Sequence, residues 1–485
     1  VKKLDRTFWG IAVVLSLTLT AAASPAAFTL CPSRDAQVST PVQTTPVPRE
    51  DYERGDLAKK RPWIAALETV GINVANWLFD RYAINAKYSH ITWATIKDNF
   101  RNGYLWDDDV YAESFFGHPY QGSQFYNSAR SLGLNTWESL PYPLVGYFIW
   151  GFFFENDQPS WNDQIFDVLG GLNLGELEFR LSSQILDDTA TGGNRVFREI
   201  MALLVNPVRG FNRIVYGDVS RTSSINRQDR EPLHGNMTLG GKLVSDSGDL
   251  SRLHFVPALA VDLVYGADSS GIVTGHPFDL IFFNGEFNYS HFRSRTYETL
   301  STYGPWYAWS WDGKSGQSYA VGLFQHYDFL NNEAFQMGGT STTLGFVSVL
   351  PLGGGFALTS SLQAGGLLLG GVRNDFLKIS DRDYDYGQGF TGKLDAWLSH
   401  PSLGTISLHF SHFLSWGFSG REPTPFDKSH DIVTLFTAQY VVPIGAAWAV
   451  SLDYGRYALR QSFEGGPQNV ARDSSRVGAA LAWHF

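Results

Sequence analysis

The chain has 485 residues, of which 44% are hydrophobic, 15% aromatic and 17% charged, with 49 glycines. That is longer than one ordinary domain, and a formal net charge of −10 excludes a sequence-independent electrostatic grip on nucleic acid. The single cysteine, Cys31, excludes an intrachain disulfide framework and a multi-cysteine metal site.

Residues 1–23 read as a signal peptide. Lys2, Lys3 and Arg6 are basic, Trp9 to Leu19 are mostly apolar, and Ala21, Ala22 and Ala23 supply small residues for cleavage. Leu30, directly before Cys31, does not suit lipid attachment there. Residues 24–62 are expected to be a disordered linker, with Pro32, Pro41, Pro46, Pro48 and Pro62 among polar residues. Farther on, no stretch offers the roughly 20 continuous apolar residues of a membrane-spanning helix.

Residues 63–213 are predicted to form a helical domain, with helices near 63–82, 92–102, 142–154, 160–186 and 194–205. Gly171 and Gly175 are four apart, so one helix face admits a close backbone. Phe148, Ile149, Trp150, Phe152, Phe153 and Phe154 are apolar nearly all round a helix and need cover on several sides. With no flexible linker between Asn206 and Tyr216, the domain is expected to pack against the C-terminal half of the chain, plugging or capping the mouth of a barrel.

From residue 214 to 485 the period becomes two. Ile406, Leu408, Phe410, Leu414 and Trp416 share one face, and Thr405, Ser407, His409, Ser411 and Ser415 the other. Segments of about 10 to 15 residues, with short turns alternating with long polar loops, predict an antiparallel transmembrane β-barrel of about twelve strands. The first strand is placed at 214–222, and 293–316 is left open as a possible extra hairpin. Polar residues at mid-depth cannot face lipid, so Asn284, Glu286, Asn288, His326, Asp328, Lys393, Asp395, His409 and Asp453 are assigned to the lumen. They fill the interior as a network or line a solute path. Val477, Ala479, Leu481, Trp483 and Phe485 share a face of the last strand, which resembles the targeting signal read by the barrel assembly machinery.

The most distinctive stretch is HPYQGSQFYNSAR, His118 to Arg130. Trp106-Asp107-Asp108-Asp109 precedes it; Trp137-Glu138, Glu155, Ser160, Asp163 and Gly175-Glu176 come after it. On these residues, and on Phe324 to Asp328, the chain resembles a bacterial outer-membrane family catalogued only as domain of unknown function three-nine-four-three. The resemblance implies no activity. The order Asp109, His118, Tyr126, Glu155, Ser160, Asp163, Gly171, Gly175 is also similar, more distantly, to that in VanZ-like membrane proteins.

Two chemical readings of this stretch stand beside a structural one. His118 and Ser123 could form a base and nucleophile, with Asp107, Asp109 or Glu155 orienting the imidazole, although the Gly-x-Ser-x-Gly elbow is lacking. Asp107, Asp108, Asp109 and His118 could ligate a metal, but the run has no EF-hand spacing, and neither metal nor cofactor is expected. Structurally, His118, Tyr120, Tyr126, Asn127, Arg130, Glu138, Ser160 and Asp163 tie short helices together. The expected protein is an outer-membrane barrel with a transport or structural role; the alternative is a lipid-modifying hydrolase or acyltransferase. Outer-membrane lipids and the assembly machinery are the expected partners. The helical domain is expected on the periplasmic side or in the barrel mouth.

Overall fold

The computed structural model describes residues 60–484 apart from 225, 227, 229, 246–252, 269–270, 291–294, 378–381, 419–427, 446–447 and 465–467. The signal-peptide reading of 1–23, Cys31, nearly all of the 24–62 linker and Phe485 lie outside the described residues.

Nine α-helices come first among the described residues: α1 (Pro62–Leu78), α2 (Trp93–Asn102), α3 (His118–Arg130), α4 (Thr136–Ser139), α5 (Pro141–Ile149), α6 (Trp161–Ile165), α7 (Gly171–Ile185), α8 (Gly192–Val205) and α9 (Pro207–Val215). Four π-helical turns, Phe79–Ile84, Glu113–Gly117, Trp150–Phe154 and Phe166–Gly170, extend or lead into them. Antiparallel strands make up the rest: β1 (Leu233–Ser245), β2 (His254–Tyr265), the short hairpin β3 (Ala267–Asp268) and β4 (Gly271–Ile272), β5 (Ile281–Ser290), β6 (Arg295–Asp312), β7 (Ser318–Asn331), β8 (Gln336–Gly353), β9 (Phe356–Arg373), β10 (Tyr384–His400), β11 (Gly404–Phe418), β12 (Ser429–Pro443), β13 (Trp448–Phe463) and β14 (Val470–His484). All but the hairpin form one closed ring, sealed where β1 pairs with β14 from Asn236↔His484 to Ser245↔Ser475. A closed ring pairs every strand and leaves no edge, the condition for crossing hydrocarbon.

The pleat sorts the wall. Leu239, Leu344, Leu362, Phe390 and Leu408 are exposed on the outside, while Thr238, Lys393, Asp395 and Ser407 are buried inside. An apolar exterior on a polar lining is the polarity of a transmembrane barrel.

The region assigned to a first strand at 214–222 is the end of α9 and then a single 3-10 turn, Asp218–Ser220. Asn206 caps this helix by accepting from Arg209 N at 3.0 Å, Pro207 opens it, and Arg209, Asn212 and Arg213 form one buried face. That spacing is helical, and the alternation is too short to compete. The lost strand is replaced by β6, which occupies the 293–316 region, so the ring still has twelve strands.

The expectation that the helices plug or cap the mouth is corrected. On β7, Val321 and Leu323 are exposed outward, and regular alternation puts Tyr327 and Phe329 on the same side. These two pack with Tyr111, Phe115, Phe116 and Phe166 of the helical domain, together with Leu369, Tyr384 and Tyr386. Farther round, the outward residues Val261, Leu263, Tyr265, Ile281 and Phe283 pack on Tyr126, Leu172, Leu177, Leu181 and Ile185. The helices therefore lie along the outer wall of the barrel, from β2 to β11. The dense aromatic run is covered partly within the domain, where Phe148 and Phe152 meet at 4.6 Å and Phe100 lies against Phe152 and Phe153.

Facing predicts tolerance. Leu408→Arg, on the lipid side, is expected to cost roughly 2–4 kcal/mol and reduce barrel yield. Ser411→Arg, three residues along on the cavity side, is expected to assemble normally. Heat-modifiable mobility of the folded barrel checks this, and equal assembly of both variants contradicts the register.

Candidate functional site

Two polar assemblies stand out, one within the helices and one within the barrel. The first is built around His118, the opening residue of α3. A π-helical turn precedes it and another, Phe166–Gly170, carries Asp167. Such turns re-aim side chains and recur at functional sites. The two chain segments meet because glycines allow it: a Cβ on Gly171 would lie 2.6 Å from the carbonyl carbon of Gly122, and Gly175 lies under the Tyr126 ring. The sequence spacing of Gly171 and Gly175 thus marks a real close approach.

His118 Nδ1 stands 3.0 Å from Asp167 Oδ2, while Nε2 faces Asp163 Oδ1 at 3.3 Å and Asp109 Oδ2 at 3.9 Å. Asp163 is itself fixed: Ser160 Oγ and Tyr147 OH donate to Oδ2 at 2.5 and 3.4 Å, and Asn162 Nδ2 to Oδ1 at 2.8 Å. Asp107 accepts from Asn162 at 2.9 Å and from Tyr386 OH of β10 at 2.8 Å, so the barrel wall holds one side of the cluster. Crowded acids raise one another. Burial, then Asp107, pushes Asp109 up to about 6, and burial, then Asp109, pushes Glu113 up to about 8. Burial also lifts Asp167 to about 6 and Glu155 well above its ordinary range. For His118 burial works downward, but Asp163, Asp109 and Asp167 outweigh it, so the ring holds its proton well above the usual range.

Ser123 does not join His118. Its Oγ donates to Tyr120 O at 2.8 Å and lies 3.1 Å from both carboxylate oxygens of Glu178. Five positions along an α-helix is roughly 140° round, which turns Ser123 to another face. Glu155, at the end of the Trp150–Phe154 turn, is raised by burial, and the charge of His118 only partly offsets this. Tyr126, Asn127 and Arg130 belong to a second network. Glu176 accepts from Tyr126 OH, from Arg130 Nε at 2.8 Å and from Arg180 Nε at 3.1 Å, and Asn127 donates to Glu178 at 2.9 Å. Tyr120 stacks on Phe116, and Glu138 lies at the surface with Lys60 at 2.7 Å. Asp167, Glu178 and Arg180 were missed from sequence; Asp167 follows Asp163 by four, one turn, and that was the available signal.

Inside the barrel, Asn284, Glu286, Asp328, Lys393, Asp395, His409 and Asp453 line a cavity of about 100 Å³. His326 lies behind it, stacked on Tyr303 and bonded to Thr343. Ion pairs cross the lumen. Lys393 meets Asp328 at 2.6 Å, and Glu286 takes both Arg476 and Lys242, the latter at 2.7 Å. His409 bridges Asp395 at 2.8 Å and Asp262 at 3.1 Å, and Trp397 Nε1 reaches Asp262 at 3.4 Å. Trp397 is on β10 and Asp262 on β2, six places apart in a ring of twelve, so these contacts span the full width. Above and below, inward apolar residues close in: Val264, Phe282, Phe324, Val347, Val349 and Trp397 with the β3–β4 hairpin at one end, and Leu330, Phe335, Met337, Phe413, Val433 and Leu459 at the other.

Glu176→Gln is expected to remove the carboxylate that Arg130 and Arg180 share and to destabilise the helical domain by about 3–5 kcal/mol. Denaturation followed by tryptophan fluorescence measures this; a loss under about 1 kcal/mol contradicts the network's role.

Residues 103–208 match the model of a family described as Domain of unknown function (DUF3943). No curated protein matches. Among solved structures, the chain is similar to the NanC porin, with 11% identity over 50% of this chain and 98% of that one and a TM-score of 0.26. It is also similar to an outer membrane channel from Pseudomonas putida F1, at 10% identity over 53% and 96% of the two chains and a TM-score of 0.26. For the outer membrane protein OprD from Pseudomonas aeruginosa the values are 8%, 53%, 94% and 0.19.

Proposed function

We propose, for a chain whose segment 103–208 belongs to the DUF3943 family, that this is an outer-membrane barrel with a structural role: it holds its helical domain in the bilayer beside its outer wall. The observation that carries the reading is the inverted polarity of the helices. On α1, Ala65, Thr69 and Asn73 are buried while Trp63, Leu67, Val70, Val74 and Leu78 are exposed. On α9, Arg209, Asn212 and Arg213 are buried while Phe211, Ile214 and Val215 are exposed. Water would penalise such a surface, whereas hydrocarbon favours it and requires the polar groups to pair inside.

Orientation is argued from the loops. The turns at 313–317, 354–355 and 401–403 are short and the connections at 374–383, 419–428 and 464–469 are long, which puts the latter outside the cell. The His118 cluster, which touches Tyr384 and Tyr386 at the start of β10, then lies toward the outer leaflet. Outer-membrane lipids are the partner this surface fits. The outward row of β14, with Val477, Leu481 and Trp483, is the proposed feature for the assembly machinery.

In a Cys31→Ser background, a spin label at Leu67→Cys in proteoliposomes is expected to collide with oxygen and to be shielded from a water-soluble nickel complex. A label at Arg221→Cys should show the reverse. Equal nickel access at both sites removes the proposal. A second reading, a gated solute path, is favoured by the polar mid-barrel cavity. In planar bilayers the structural reading expects no steady conductance, and well-defined channel openings support the gated path instead.

A further inference from the structure

We propose that Asp109, His118 and Asp163 form a binding site for one first-row divalent metal ion. One ligand atom from each residue lies within 4.8 Å of the other two. Ligands around zinc at about 2.0–2.2 Å stand roughly 3.4 Å apart in a tetrahedron, so the separations of 3.3 Å from Nε2 to Asp163 and 3.9 Å to Asp109 need only a small closure.

The histidine makes this more than a group of acids. His118 is only 6% exposed, and its Nδ1 is held by Asp167 at 3.0 Å. Nε2 is turned toward the two carboxylates, 3.3 Å from Asp163 Oδ1 and 3.9 Å from Asp109 Oδ2. A carboxylate holding the far nitrogen fixes the ring and leaves Nε2 as the donor, the usual outer shell of a metal-bound imidazole. Asp163 is fixed likewise, by Ser160, Tyr147 and Asn162. Asp107, which shares Asn162 with Asp163, places a further carboxylate beside the group. A dication would offset the charge of these carboxylates. One imidazole and two carboxylates suit zinc or manganese better than magnesium or calcium, which take oxygen alone. The side chain of Asp109 is 44% exposed, so the ion's remaining position opens outward, where water or an oxygen ligand from outside can enter.

The test uses the full-length protein in detergent, stripped with chelator and titrated with Zn²⁺ and with Mn²⁺ by calorimetry, with bound metal counted by elemental analysis. One ion per chain is expected for at least one of the two metals. Asp109→Asn and Asp163→Asn should each weaken binding at least tenfold, and Asp167→Asn about 10–100-fold. Asp98→Asn, at an exposed position on α2, should leave it unchanged. Asp109 is half-exposed, so its variant is the one expected to fold normally, checked by heat-modifiable mobility. Failure of both metals to reach one per chain, or binding undiminished in folded Asp109→Asn, overturns the proposal.

Discussion

Hydrocarbon offers no partner to a backbone amide, and the architecture depends on that. The β1–β14 seam closes the ring, so each strand finds both neighbours. Closure fixes two faces, and the pleat assigns every residue to one of them. Ion pairs that would be costly against lipid are turned inward, where Lys393, Glu286, Arg476 and His409 find partners across the lumen. The interior is therefore cross-braced in the middle and greased at both ends.

The helical domain is built from short helices. Among the described residues no helix is long and apolar enough to cross a membrane, and the domain leans on the barrel. Outward rings at Tyr265, Phe283, Tyr327, Phe329 and Tyr386 receive it. Its polar groups turn inward around Glu176 and His118. Glycines at 122, 171 and 175 bring α3 and α7 close enough for those groups to meet.

The barrel was legible because alternation with period two is a local signal, repeated many times over. The lumen residues came from the same parity. The side on which the helices sit was not legible. Tyr327 and Phe329 look in sequence like any lipid-facing pair, since lipid and a greasy helix ask the same of a side chain. The start of the barrel failed because 214–222, assigned to a strand, holds only the last two residues of α9 and a 3-10 turn. Within the site, His118 and Asp163 were picked out from the motif and do come together. Ser123 was paired with His118 by nearness along the chain, and helix geometry separates them. Asp167 is 49 positions from His118, and only the folded packing of α3 against the Phe166–Gly170 turn brings it to the ring.

Helices packed on the outer wall are the central claim, and adjacent residues on β7 can test it. Tyr111 stacks on Phe329, ring centres 5.2 Å apart, while Asp328 points into the lumen. In a Cys31→Ser background, cysteine pairs 111/329 and 111/328 can be joined by a short bifunctional thiol reagent and the linked peptides read by mass spectrometry. The account predicts efficient linkage of Tyr111→Cys with Phe329→Cys and little with Asp328→Cys. Preferential linkage to position 328 would place the helices inside the barrel and contradict it.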